Sequence, residues 1–464
     1  MKKTRSFIGV CLLLVLGNVA IAQDAAISSD MLSEIRASVA MDAHTRAMQN
    51  AVTKNEIRAL VLDREKLSSI DNHFAYKIEI PSITDQKSSG RCWLFTALNV
   101  MRPKVVERYN LEDFEFSQSY LFFWDQLEKA NLFLQAVIET RDQDLSEDKD
   151  RLVQWLFQHP IQDGGVWNMM PSLVEKYGLV PKEVYPESHS SENTRQMRTL
   201  LRSKLREQGM ILRQLARDGK KDKYLQKKKT EMLADIYRML VICMGTPPTE
   251  FQWRYVDKND SLIDAGSFTP QSFYQQALDV NLNDYVMLMN DPSRPYYQLY
   301  EIEYDRNCWE GSNWLFVNLP AEEIKEYAKA SILADEAMYF SCDVGKFLER
   351  ERGIVADRLH DYESLFGIKF AMDKRDRILS YDSGSSHGMA LMGVDTCASG
   401  KPTKWLLENS WGAEDGFDGY LIMTDDWFEE YSFRLVILKQ FLPEKVRKVL
   451  EQKPKMLKPW DRMS

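Results

Sequence analysis

Gln86-Lys87-Ser88-Ser89-Gly90-Arg91-Cys92-Trp93 is a polar turn that breaks at Gly90 and runs into the apolar pattern of a helix starting near Cys92. A thiol at a helix N-terminus meets unpaired backbone N–H groups and the positive end of the helix dipole, and both favour the thiolate. Gln86, six residues earlier, has a side-chain NH₂ that can join the Cys92 backbone N–H in stabilising an oxyanion. An isolated cysteine is more often a small buried side chain than a nucleophile. Two later segments change that balance. Ser385-Ser386-His387-Gly388 opens an apolar, strand-like run, and Glu408-Asn409-Ser410-Trp411-Gly412 follows after a Gly-Lys-Pro turn. Cys, His and Asn therefore come in the order that a thiol nucleophile, its base and the group orienting that base require. His387 would take the thiol proton, Asn409 would hold the ring through its other nitrogen, and Trp411 would cover that hydrogen bond from water.

These motifs, Gln-x-x-x-Gly-x-Cys-Trp, His-Gly and Asn-Ser-Trp-Gly, resemble those of papain-like cysteine proteases. Phe114-Glu115-Phe116-Ser117-Gln118-Ser119-Tyr120 and Cys342-Asp343-Val344-Gly345-Lys346 are similar to the bleomycin hydrolase / aminopeptidase C branch. The resemblance runs from about Asp71 to the last residue. It implies an α+β, two-lobed papain-like fold: a helical lobe carrying Cys92, a β-barrel-like lobe carrying His387 and Asn409, and a large helical insertion. The expected organisation is a signal peptide at 1–22, an N-terminal arm at 23–75, the helical lobe at 76–186 and the insertion at 187–330. The β-rich lobe would follow at 331–455 and a C-terminal arm at 456–464.

The resemblance also implies further site residues. Gln162-Asp163-Gly164-Gly165 matches the Gly-Gly that borders the substrate cleft, with Gly164 and Gly165 free to approach a peptide backbone; a plain turn is the alternative. In the same branch the C-terminal arm lies in the cleft and its carboxylate, here on Ser464, receives the substrate's α-amino group. The result is aminopeptidase activity on peptide substrates. The tail is a few residues shorter than is usual there, which keeps a papain-like endopeptidase or dipeptide-releasing enzyme as the alternative. A non-catalytic envelope binding protein is the reading from a different class.

The remaining composition constrains partners. Hydrophobic residues make up 44% and charged residues 28%, as in an ordinary globular protein. The net charge of −9 gives no reason to expect nucleic acid, and Lys220, Lys221, Lys223, Lys227, Lys228 and Lys229 read as a solvated helix face. The histidines outside the site show no metal-ligand spacing, so neither a metal nor a cofactor is expected. Lys2, Lys3 and Arg5 precede an apolar run and a small-x-small site at Ala20-Ile21-Ala22, the pattern of a cleaved bacterial signal peptide. Export to the periplasm or beyond is expected, without stable membrane insertion after cleavage; an uncleaved N-terminal anchor is the alternative. Five cysteines would then remain, an odd number that leaves at least one thiol free. Secreted papain-like enzymes usually bridge the nucleophile loop to the Gly-Gly loop, but the matching positions here are Ser89 and Gln162.

Helical spacing is read at Leu94, Ala97, Leu98, Met101 and Val105, with Pro103 bending or ending the helix. Ser117 is the expected N-cap of a second helix with Tyr120, Leu121, Trp124, Leu127 and Leu134 on one face. Met197, Leu200, Leu201 and Leu205 mark one helix of the insertion, and Met232, Leu233, Ile236, Met239 and Leu240 another. The resemblance assigns that insertion to a homohexameric assembly. Alternation at Phe74, Tyr76, Ile78 and Ile80 predicts a short strand or an extended lead-in to the nucleophile turn, and four strands are expected after residue 331.

Overall fold

A computed structural model describes residues 25–80, 82–146 and 150–464. The expected signal peptide lies outside the described residues. The chain divides into two compact units. The smaller takes the residues up to Asp63 together with His360–Lys369. It contains helices α1 (Ser29–Ala37) and α2 (Ala43–Val52), capped by Ser28 and Asp42. Asp361 N–H donates to the Val61 carbonyl at 2.7 Å, which ties its two stretches together.

The larger unit holds every candidate site residue. Helix α3 (Cys92–Arg108) is buried all round from Trp93 to Arg102, so its sequence shows little amphipathicity and its position is set by packing. Pro103 sits inside α3 without ending it, which removes the second of the two sequence expectations for this residue. Buried Met101, Arg102 and Val105 on either side of it hold the turn that its missing N–H weakens. Ser117 caps α4 (Gln118–Glu139), accepting from Tyr120 N–H at 3.0 Å as the pattern predicts. The insertion begins with a helix pair, α5 (Arg195–Arg217) and α6 (Asp222–Met244). Met197, Leu201 and Leu205 are buried on α5, whereas Leu200 is exposed.

The strands are β1 (Tyr76–Lys77), β2 (Phe251–Val256), β3 (Leu262–Phe268), β4 (Tyr285–Met289), β5 (Gln298–Ile302), β6 (Trp314–Asn318), β7 (Met338–Cys342), β8 (Leu348–Glu349), β9 (Ile354–Val355), β10 (His387–Thr396), β11 (Pro402–Glu408), β12 (Tyr420–Thr424), β13 (Ser432–Leu438) and β14 (Lys455–Leu457). Twelve of them form one sheet in the order β14-β5-β6-β4-β13-β7-β10-β11-β12-β9-β8, with β1 on β10. The sequence reading treats 187–330 as helical, yet 251–318 carries five strands. Three of these, β4 to β6, belong to the large sheet. Their burial explains the difference: β4 and β6 are covered almost throughout, so they lack the alternation that marks a half-buried strand. The strand expected over residues 74–80 shrinks to Tyr76–Lys77.

The sheet sets up the site through two antiparallel neighbours. β10 pairs with β11 in a register that puts Ala390 opposite Glu408. Continuing that register brings the start of β10, at His387, to the same end as the residues just after β11. His387 and Asn409 thus leave the sheet side by side.

Candidate active site

Cys92 is the first residue of α3, and the N-cap residue Arg91 makes no side-chain cap. The first-turn N–H groups are therefore left for the sulfur, and Trp93 N–H is one that reaches it. Cys92 is half-buried. Burial by itself would raise its pKa. The hydrogen bond and charge of the His387 ring, with the backbone N–H groups of Gly388 and Trp93, outweigh burial and hold the thiol below its ordinary range. The imidazole responds in kind: burial would lower its pKa, but the bond and charge of Cys92 and the bond to Asn409 raise it. Both shifts act in the direction that favours the thiolate–imidazolium form of the pair.

Five cysteines are free among the described residues. Cys342 lies opposite His387 across β7 and β10, yet burial keeps its thiol far above the ordinary range. Burial does the same at Cys308. Cys397 is exposed and is lowered by a bond to Ser399 rather than by an imidazole. Cys92 is the thiol given both a base and a lowered pKa.

Asn409 Oδ1 lies 2.8 Å from His387 Nε2. Trp411 stacks on the ring with centroids 4.8 Å apart and planes inclined by 27°. The Arg350 guanidinium lies 5.0 Å from the Trp411 ring centre on the exposed side. The tryptophan thereby shields the His387–Asn409 bond from solvent.

Gln86 reaches the same place by strand-like pairing. Its N–H donates to Ser410 O at 2.8 Å, and Gly412 N–H donates to Thr84 O at 3.2 Å. Gly412 has φ +89°, and a Cβ there would stand 3.0 Å from the Asp85 carboxylate, so the close pairing calls for glycine. The Gln86 side-chain Nε2 donates to Ser89 O at 2.7 Å and its Oε1 accepts from Ser410 Oγ at 2.7 Å. Because a carbonyl only accepts, these contacts assign the amide orientation and leave one Nε2–H uncommitted.

The Gly-Gly loop packs on the nucleophile helix. Trp93 Nε1 donates to Asp163 O at 2.8 Å, and Lys129 Nζ donates to Gly164 O at 2.7 Å while pairing with Asp125 at 2.7 Å. A Cβ on Gly165 would stand 2.7 Å from the Trp93 ring, whereas one on Gly164 would meet nothing within 4 Å. Ser464 lines a cavity shared with Gln162, Lys129, Trp155 and Asp305. The tail is tied down by Arg434 Nη2, which donates to Met463 O at 2.6 Å, and by Asp461, 3.0 Å from Arg294.

The site thus unites Cys92, His387, Asn409, Gln86 and Trp411, with Gly164 and Gly165 on the adjoining loop and Ser464 beside Gln162. Sequence reasoning missed Ser410, Lys129 and Asp163 as supports. Ser410 lies within the Asn-Ser-Trp-Gly motif and could have been found there; nothing local marks Lys129. Among the described residues no group of His, Cys, Asp and Glu is placed to hold a metal ion. No described helix is long and apolar enough to cross a membrane.

The model of the Peptidase C1-like family matches residues 26–464. The chain belongs to the Peptidase C1-like family. It is 38% identical over 441 residues to aminopeptidase C of Streptococcus thermophilus, covering 94% of this chain and 98% of that one. It is 40% identical over 425 residues to the bleomycin hydrolase of Homo sapiens, covering 89% and 93%. The crystal structure of PepW from Lactobacillus rhamnosis HN001 superposes with a TM-score of 0.91 at 37% identity, covering 95% of this chain and 99% of that one. The fold of this Peptidase C1-like chain is accordingly the α+β, papain-like one.

Proposed function

We propose that the chain is a cysteine-type aminopeptidase of the bleomycin hydrolase type, with Cys92 as nucleophile. The observation that carries this reading is the Cys92–His387 pair, its thiol lowered and its imidazole raised, with Asn409 on the far nitrogen. Cys92 thiolate attacks the scissile carbonyl, and the oxyanion is stabilised by Cys92 N–H and the uncommitted hydrogen of Gln86 Nε2. His387 gives its proton to the leaving amine. It then takes one from the water that cleaves the thioester, which regenerates the thiol and releases the acid. Gly164 and Gly165 border the bound peptide.

Removal of residues from the free amino end is supported by the position of Ser464. Ser464 lines a cavity that Gln162, two residues before Gly164, also lines, and its tail is anchored at Met463 and Asp461. In this reading the Ser464 carboxylate is the group that attracts the substrate's α-ammonium group. The deciding experiment compares fluorogenic peptides with free and acylated amino ends. Turnover confined to the free-amino set is expected; comparable turnover of acylated peptides would replace this reading with an endopeptidase.

Two finer readings belong with this one. A homohexamer is supported by the resemblance and by exposed Leu200, Met210, Ile211, Tyr224 and Ile242 on α5 and α6; light scattering would give the mass. Export is supported by the basic-then-apolar pattern of residues 1–22, and N-terminal sequencing of the cellular protein would reveal cleavage near Gln23.

A further inference from the structure

Two turns below Cys92, α3 carries a second set of polar contacts that the reaction does not use. Cys92, Thr96, Asn99 and Arg102 follow helical spacing and share one face. Cys92 meets His387 at the top of that face. Thr96 lies against Gly388, where an added Cβ would stand 3.2 Å from its Oγ1. Asn99 Nδ2 and Arg102 Nη2 both donate to Glu408 Oε1 at 2.8 Å. Asn99 Nδ2 also donates to Thr84 Oγ1 at 2.9 Å. Glu408 is the last residue of β11 and the neighbour of Asn409. All these side chains are almost fully buried, with Asn99 at 2%, Arg102 at 1%, Glu408 at 1% and Thr84 at 1% exposure.

We propose that Asn99, Arg102 and Glu408 are positioning residues for the thiol reaction: they pin the helix that carries Cys92 to the strand that delivers Asn409, and so set the sulfur–imidazole distance. The inference rests on the thiol reading of Cys92 and is independent of whether the enzyme acts from the amino end.

The argument is geometric. A helix resting on a sheet through apolar side chains alone can slide or rotate at small cost, because dispersion contacts are individually weak and non-directional. Two donors one turn apart on a single oxygen fix both the height and the rotation of the helix, since hydrogen bonds weaken quickly with distance and angle. A buried ion pair is poor evidence for stability, because desolvation cancels much of the attraction, but defining a unique register is its best attested use. Here the register concerns two elements whose ends carry the reacting groups. Thr84 extends the pin to the segment bearing Gln86, so the oxyanion donor is referenced to the same point.

The test uses the full chain, with iodoacetamide alkylation read at the Cys92 peptide by mass spectrometry, so that exposed Cys397 does not contribute, and turnover normalised to that reading. Glu408→Ala is expected to lower kcat about tenfold to a hundredfold, the scale of a misplacement of about 1 Å, while KM stays within about twofold. The pH at which Cys92 becomes alkylatable should move up toward the ordinary thiol range. Glu408→Gln, whose amide oxygen still accepts both donors, should recover most of the activity. Asn99→Ala removes one donor and leaves the ion pair, so it decides the matter if Glu408→Ala does not fold; a several-fold fall in kcat with an upward alkylation shift is expected. Wild-type turnover per thiol with an unchanged alkylation profile, or a Gln variant no better than Ala, would overturn the proposal. If the wild-type chain cleaves no peptide, the functional reading fails, and the alkylation profiles still judge the positioning role.

Discussion

His387 Nε2 stands 2.8 Å from Asn409 Oδ1. A carboxamide oxygen can only accept, so Nε2 carries a proton and Nδ1 is the nitrogen left to face Cys92. One contact thereby chooses the tautomer and the ring orientation, and Trp411, stacked on the ring, keeps water from competing for it.

Asn409→Ala should leave the thiol in place but release the ring. kcat is expected to fall by at least about tenfold and by no more than the ~10²–10⁴-fold that a positioned acid–base group contributes, with KM little changed. Steady-state kinetics on a free-amino peptide check this, and full activity would remove Asn409 from the site.

The pH dependence follows from the two opposite shifts. As pH falls through the lowered value of Cys92 the sulfur is protonated; as pH rises through the raised value of His387 the proton needed by the leaving amine is lost. Active enzyme exists between the two limbs, which belong to the pair rather than to either residue. Alkylation of Cys92 should therefore begin well below the ordinary thiol range. In His387→Ala that limb should move alkaline, because burial then acts without its largest opponent.

Gln86→Ala removes an oxyanion donor and should cost about 10²–10³ in kcat. A rise in KM with kcat unchanged would assign Gln86 to substrate binding instead. The Gln86 contacts to Ser89 and Ser410 predict a modest loss of stability as well, readable as a lower urea midpoint.

Gly165→Ala and Gly164→Ala form a matched pair. The first places a methyl 2.7 Å from the Trp93 ring and should destabilise by about 1–3 kcal/mol through overpacking. The second meets open space and should change stability by less than about 0.5 kcal/mol. If the loop borders the substrate, Gly164→Ala raises KM at unchanged stability. Equal unfolding midpoints for the two variants would contradict the packing described.

Adding one residue after Ser464, which lines a cavity together with Gln162, moves the terminal carboxylate from its place in the wild-type chain. The ratio of turnover on free-amino over acylated peptides should drop at least about tenfold, since an ammonium–carboxylate contact in a shielded cleft contributes on the order of 1.4 kcal/mol or more. An unchanged ratio would detach the tail from substrate selection.

The chemistry of this protein was legible without coordinates because it is written locally. A thiol after a glycine turn, a histidine opening an apolar run and an asparagine before Ser-Trp-Gly each declare their type and surroundings within a few residues. Helices α3 and α4 were legible for the same reason, since a 3.6-residue period and a serine cap are short-range features. Residues 285–318 were not. β4 pairs with β13 and β5 with β14, more than a hundred residues away, and strands covered on both faces lose the alternation that announces them. The supports of the site share that character: Ser410 on Gln86, Lys129 on Gly164 and Glu408 on Asn99 are contacts between distant segments. Which reactive groups the chain possesses is a property of its order; the distances at which they face one another arise only when buried segments, remote in that order, find hydrogen-bonding partners on folding.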